Sequence, residues 1–216
     1  MTWNNAETKL KFTTYPMIHI GDLHYYERTA AEIGRCQYVL LEGVSWRLGN
    51  KRRPLWDLVA KNLGLAAQEK ALTIPPSATR VNIDMKRPEF RELLFGLPIH
   101  YIVLFVFLRR GLWLLTLPPA FRKKAIRYGL LRRACKDSHE NDTPLKRLLV
   151  RSRDQRIVEN LKTFYQQYGQ TDETKYVAII FGAGHMTAIS RALGDLGFEV
   201  GTRRWVELLR VPTNLR

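Results

Sequence analysis

The chain has few cysteines, few acidic residues and no long apolar run, and each shortage excludes a class of protein. Two cysteines in 216 residues, Cys36 and Cys135, are too few for a disulfide framework or a cysteine-rich zinc module. We therefore expect free thiols and a reducing compartment. The polar N-terminus lacks the apolar stretch of a secretory signal, which favours the cytoplasm. Without repeats or Gly/Ser linkers, the length predicts one globular domain over residues 1–216.

The most apolar segment, residues 97–117, is interrupted in its middle by Arg109 and Arg110. A membrane-spanning helix needs about 20 predominantly apolar residues. Each arginine would cost about 2.5–3.5 kcal/mol at the centre of such a helix. We therefore expect this segment to be buried or interfacial and not to span a bilayer.

Basic residues outnumber acidic ones by 35 to 20, and most of the excess falls in residues 109–153, which hold thirteen Lys or Arg against three acids. Such a region is either a solvated helical face or a surface for an anionic partner. A phospholipid surface is the favoured partner, since no RNP, zinc-finger or helix-turn-helix signature points to nucleic acid. A cytoplasmic protein that contacts the membrane peripherally is therefore one of the two alternatives.

Strand-like and helix-like segments alternate at both ends of the chain. Five segments predict strands, namely residues 17–20, 38–41, 80–84, 177–181 and 205–211. Six predict helices, namely residues 29–35, 55–63, 90–95, 121–136, 145–168 and 187–196. This alternation predicts an α/β fold with a mostly parallel or mixed central sheet flanked by helices. The basic helical stretch, residues 86–150, is then an insertion or cap within that domain.

Two G-x-x-H segments directly follow predicted strands. The first contains Gly21 and His24, and the second contains Gly182, Gly184 and His185. Ligands of open α/β sheets bind outside the carboxyl ends of the strands. Glycine lets the backbone turn sharply as it leaves a strand. We therefore expect both histidines to point into one crevice.

Two acidic residues, Glu42 and Asp84, take the same position after two other predicted strands. Together with His24 and His185 they would line one rim of the sheet. Two imidazoles and a carboxylate suit a divalent metal with an open position for water. The same groups would also serve as a metal-free acid/base cluster. Asp154, on a predicted helix, is expected to be a solvated charge.

Three segments of the chain resemble the TraB/PrgY/TIKI superfamily, whose wider relatives include ChaN-like haem-binding proteins and erythromycin esterases. The similar segments are H-I-G-D-L-H at 19–24, V-L-L-E-G at 39–43 and G-A-G-H-M at 182–186. The resemblance implies a metal-dependent hydrolase of metalloprotease type. It also implies a peptide substrate, as in pheromone inactivation, and Mn, Co or Zn as the metal.

Carried over to this chain, the resemblance implies a metal held by His24, His185 and Glu42. Glu42 or Asp84 would act as the base, and Arg153 would stabilise the oxyanion or a substrate carboxylate. A second hypothesis is a non-enzymatic protein that binds a membrane surface through the basic cap, or haem or another ligand in the same crevice.

Overall fold

A computed structural model describes residues 1–42, 57, 60–61, 64–100 and 150–207 of the chain. Within these residues strands and helices alternate. In chain order they are β1 Thr2–Asn4, β2 Leu10–Met17, β3 Ile20–Gly21, α1 Leu23–Ile33, β4 Tyr38–Leu41, β5 Ala66–Ala67, α2 Gln68–Ala71, β6 Thr79–Asn82, α3 Arg87–Phe95, α4 Ser152–Tyr168, β7 Lys175–Gly182, α5 Met186–Asp195 and β8 Glu199–Val200. A 3₁₀ turn, Ala183–His185, joins β7 to α5.

Six strands form one mixed sheet in the order β6-β4-β7-β2-β1-β8. The strands β6, β4, β7 and β2 are parallel, whereas β1 is antiparallel to both β2 and β8. The predicted α/β class with a mixed sheet is therefore confirmed. Leu41 pairs with Asn82 and Met17 with Gly182, so the four parallel strands end at one common edge.

Helices cover both faces of this sheet. Because side chains alternate along a strand, Val177, Ile179 and Phe181 of β7 face a core that includes residues of α4 and α5. Ala178 and Ile180 face the opposite core, which α1 covers. Large apolar side chains contribute about 1.5–3 kcal/mol each when fully buried. These two cores therefore fix the sheet between its helices and hold the carboxyl edge in place.

The helices follow from the spacing of their apolar residues. In α4 the buried residues are Ile157, Leu161 and Phe164, which lie on one face of the helix. The chain after α5 turns at Gly197, whose φ of 80° falls in the left-handed region that glycine adopts without strain. The N–H of Phe198 then bonds to the carbonyl of Leu193 at 3.0 Å and ends the helix.

Three predicted boundaries were wrong. The strand expected at 17–20 is Leu10–Met17, and only the short antiparallel β3 follows it. Every second residue from Leu10 to Thr14 is buried, a period of two that is typical of a strand, but polar residues interrupt the apolar run. The helix expected at 29–35 begins at Leu23, so His24 lies on a helix and not at a strand end. Residues 205–207 of the predicted last strand belong to no strand, and the last described strand is Glu199–Val200.

The strands expected at 38–41, 80–84 and 177–181 and the helices expected at 90–95 and 187–196 are confirmed, and their ends shift by at most three residues. The helix expected at 145–168 is described from Ser152 to Tyr168. Most or all of the predicted features at 55–63, 86–150 and 97–117, and at Cys135, lie outside the described residues. None of the helices described is long and apolar enough to cross a membrane.

Candidate functional site

A buried arginine links the ends of two neighbouring parallel strands. Arg153, on the first turn of α4, donates from Nη2 to Glu42 Oε1 at 2.5 Å. It also donates from Nε to Asp84 Oδ1 at 3.1 Å, and from Nη2 to Asp84 Oδ2. Glu42 directly follows β4 and Asp84 lies just beyond β6. The guanidinium is 11% exposed, so this Glu42–Arg153–Asp84 network is largely removed from water.

The loop after β6 fixes the Asp84 carboxylate. The Asp84 side chain has no exposed surface, and its Oδ1 also accepts the N–H of Met85 at 2.7 Å. The Asp84 N–H donates to the side chain of Asn82, while Asn160 of α4 donates to the carbonyl of Ile83 at 3.0 Å. With both oxygens engaged, Asp84 is arranged to hold Arg153 in place and not to accept a proton from a substrate.

Glu42 connects this network to β7. Its second oxygen, Oε2, accepts the N–H of Gly182 at 3.1 Å. A Cβ atom at position 182 would lie 3.4 Å from Glu42 Oε2 and 3.8 Å from His185 Cδ2. The missing side chain therefore leaves a gap with Glu42 on one side and His185 on the other. A methyl group there would make ordinary van der Waals contact with both side chains, so alanine would fit but would fill the gap.

Opposing effects set the charge states of this pair. Burial alone would raise the pKa of Glu42, but the charge and hydrogen bond of Arg153, the nearby His185 and the Gly182 N–H together lower it below its ordinary value. Burial would lower the pKa of Arg153, but its bonds to Asp84 and Glu42 raise it. Both side chains are therefore charged at neutral pH.

His185 and Asp154 form a second pair beside the network. The Nδ1 atom of His185 lies 2.6 Å from Asp154 Oδ1, and the imidazole is 8% exposed. Because an ionised carboxylate only accepts hydrogen bonds, Nδ1 of His185 is the donor of this pair, and in the neutral imidazole the lone pair then lies on Nε2. Asp154 follows Arg153 directly on α4, so one helical turn supplies both pairs.

The structure brings together four of the predicted site residues, namely Glu42, Asp84, Arg153 and His185. His24 lies on the first turn of α1, is exposed, and lines a separate small cavity of about 150 Å³ with Tyr25 and Arg28. Among the residues described, no hydrogen bond or ion pair joins His24 to the other four. Gly21 lies in β3, and Gly184 lies in the 3₁₀ turn.

These side chains do not fit the predicted metal set as they are arranged. In the described part of the chain, no three His, Cys, Asp or Glu side chains are grouped so that they could hold a metal ion. Both oxygens of Glu42 are engaged by Arg153 and Gly182. Nor does any buried side-chain nitrogen or oxygen of these residues lack a hydrogen-bond partner. The metal therefore stays a prediction drawn from the resemblance.

Asp154 is the residue that the sequence analysis missed. Its position next to Arg153 was the available signal, because Arg153 was already a candidate and neighbours on a helix end can face one site.

Comparisons of the chain with protein-family models, with curated proteins and with solved structures give no match.

Proposed function

We propose that this protein is a hydrolase in which His185, oriented by Asp154, activates water beside the Glu42–Arg153–Asp84 network. The observation that supports this most is the 2.6 Å contact between His185 Nδ1 and Asp154 Oδ1 at the carboxyl edge of the sheet. A buried imidazole fixed by a carboxylate is a common arrangement for a general base. The substrate class, taken from the resemblance, is a peptide.

The proposed step begins with water next to Nε2 of His185. Nε2 takes one proton from the water, and the resulting hydroxide adds to the scissile carbonyl carbon. The carbonyl bond pair moves onto the oxygen, which becomes an oxyanion. When that oxyanion collapses, the carbon–nitrogen bond breaks and the proton on Nε2 passes to the leaving amine.

Arg153 supplies the positive charge for the oxyanion in this proposal. It contacts Asp84 in a bidentate arrangement, and the Asp84 side chain has no exposed surface, whereas the Glu42 side chain is 27% exposed. Glu42 is therefore the partner that would give way when substrate binds. Stabilisation of the developing charge by a preorganised cation is often the largest single contribution to such reactions.

Cleavage of a mixed peptide library, followed by mass spectrometry, tests this proposal. Asp154→Asn should lower the rate about 10²- to 10⁴-fold, the range of positioned acid–base catalysis. Asp195→Asn is the matched control, because Asp195 is exposed at the end of α5. Equal cleavage by wild type and Asp154→Asn would contradict the proposal.

A chelator arm of the same assay tests the metal implied by resemblance. If EDTA leaves cleavage unchanged, the metal-independent step stands. If EDTA abolishes cleavage and Mn, Co or Zn restores it, the protein is a metal-dependent hydrolase and His185 acts as a ligand instead of a base.

A second candidate function is binding to an anionic membrane surface. Three large apolar side chains in and just after α3 are exposed, namely Leu93, Phe95 and Ile99 at 41%, 67% and 78%. The sequence after them combines an apolar run with the basic residues of 109–153. Apolar and aromatic residues beside basic ones favour the membrane interface.

Vesicle co-sedimentation tests this second candidate. Binding should require anionic lipid and weaken as salt rises, and Phe95→Ser should weaken it further. Tyr176→Ser, which removes an exposed aromatic residue from β7, is the control. Binding that ignores lipid charge and salt would exclude this candidate.

A further inference from the structure

An apolar groove lies beside β3, β5 and α1, away from the contacts of the Glu42–Arg153–Asp84 network. We name it the alanine groove, since its apolar walls are Leu23, Ala60, Leu65, Ala66, Ala67 and Ala71. Its volume of about 430 Å³ falls in the range of small-molecule sites, about 300–1,000 Å³. Three polar side chains, Asp57, Lys61 and Lys70, complete its lining.

Backbone pairing and small side chains explain why the groove is open. Ile20 pairs with Ala67 and Gly21 with Ala66, and the Gln68 N–H donates to the His19 carbonyl at 3.0 Å. This short ladder holds the alanines beside α1, where their methyl groups fill little space. Leu23 stands on the first turn of α1 with 52% of its surface exposed. The groove therefore offers a long apolar wall to a ligand.

The polar side chains of the groove carry a net positive charge. Lys70 Nζ bonds to Asp57 Oδ2 at 2.7 Å, so that carboxylate is already neutralised. Lys61, which is exposed, adds a second ammonium group. The Lys70 side chain is 62% exposed, and exposed ion pairs exchange partners at little cost. Both ammonium groups line the groove and would attract an anionic ligand.

We propose that the alanine groove binds a free aliphatic carboxylate of medium chain length, with its chain on the Leu/Ala wall and its head at Lys61 and Lys70. The lining side chains other than the three charged ones are all leucine or alanine. They offer no partner for the amide groups of a peptide chain, which favours a fatty acid over a peptide end. This site is independent of the hydrolytic function proposed above.

Isothermal titration of the full chain with hexanoate, octanoate and decanoate, below their micellar concentrations, tests the apolar wall. Affinity should rise with each methylene, by up to about four-fold where the methylene is fully buried. Decanol and decyltrimethylammonium should each bind at least several-fold more weakly than decanoate. An affinity independent of chain length, or equal binding of the three decyl compounds, would overturn the proposal.

Amide shifts in ¹H–¹⁵N spectra show where decanoate binds. The largest changes should fall on Leu23, Ala66, Ala67 and Lys70. Changes confined to other residues would overturn the proposal. An acetylated dileucine peptide that binds more tightly than decanoate, with the same amides shifted, would overturn the choice of a fatty acid.

Two matched pairs of variants localise the binding further. Lys61→Glu should weaken decanoate about five-fold or more, whereas Lys162→Glu, an exposed position on α4, should change it less than two-fold. Leu23→Gln should also weaken it several-fold, whereas Leu93→Gln on α3 should not. Equal effects within each pair would contradict the site. If Lys61→Glu does not fold, the chain-length series on the wild type decides the matter.

Discussion

The two G-x-x-H segments look alike in sequence and lie in different structural settings. The segment at Gly182 follows the eight-residue parallel strand β7, and its histidine is buried against Asp154. The segment at Gly21 follows only the two-residue antiparallel β3, and His24 is exposed on α1. A short motif takes its chemical meaning from the strand that precedes it, because only a parallel strand of the main sheet brings its end to the common carboxyl edge.

The first prediction concerns the network at β4 and β6, which the region around Gly21 does not share. Arg153→Leu should lower the free energy of unfolding by about 3–5 kcal/mol, because it leaves two carboxylates without their cation. Arg156→Leu is the control on the same helix. Its ion pairs with Glu89 and Glu159 are exposed, so the loss should stay below about 1 kcal/mol. Urea denaturation measures both, and equal losses would contradict the structural role given to Arg153.

The second prediction sharpens the role of the gap at Gly182. Gly182→Ala places a methyl group between Glu42 and His185, and it should lower hydrolysis about 10- to 100-fold. The fold should survive, because φ at Gly182 is −53°, which alanine adopts freely. Gly184→Ala is the matched control, because a Cβ there would meet no atom within 4 Å. Thermal unfolding of both variants checks the fold, and unchanged hydrolysis in Gly182→Ala would count against the gap as part of the site.

The third prediction is a pH dependence of stability that comes from Glu42. Its pKa lies below the unfolded value of about 4.3, so the stabilisation is complete above that pH and is lost as pH falls through the folded pKa. Glu42→Gln should lower the stability at pH 7 and flatten the acid limb of the stability curve. Glu159→Gln, an exposed position on α4, should leave that limb unchanged. Urea midpoints between pH 3 and pH 7 provide the test.

The fourth prediction concerns Cys36, just before β4. It is a free thiol, and burial raises its pKa to about 11, so little thiolate exists at neutral pH. Iodoacetamide at pH 7.5 should label Cys36 slowly in the native protein and rapidly in denaturant without reductant. Mass spectrometry should then show both Cys36 and Cys135 labelled. An intact disulfide would contradict the expectation of a reducing compartment.

Much of the sheet could be predicted, because the buried strands β4 and β7 are continuous apolar runs bounded by polar residues. The predicted strand begins too late because Lys11 and Pro16 interrupt the apolar pattern of β2, although Leu10, Phe12 and Thr14 are buried at every second position. The sequence of such a strand resembles that of a loop unless the two-residue repeat of its buried positions is recognised.

The candidate site was predictable where a residue directly follows a parallel strand, as Glu42 does after β4. The pairing of Arg153 with two carboxylates was not predictable from the sequence, because it depends on how α4 packs across the sheet. For Asp154 the sequence predicts a solvated charge, because acidic residues on a helix surface are usually solvated. Its contact with His185 forms because the end of β7 and the start of α4 meet in the fold. No local sequence pattern predicts that these two elements meet.

The most direct test of the central claim compares His185→Gln with His24→Gln in the peptide-library assay. The account predicts that His185→Gln loses about 10²-fold or more of the cleavage rate, whereas His24→Gln stays within about two-fold of wild type. Both variants should unfold at the wild-type temperature within a few degrees. An equal loss in His24→Gln would show that the two G-x-x-H segments serve one site, and it would contradict a reaction centred on His185 and Asp154.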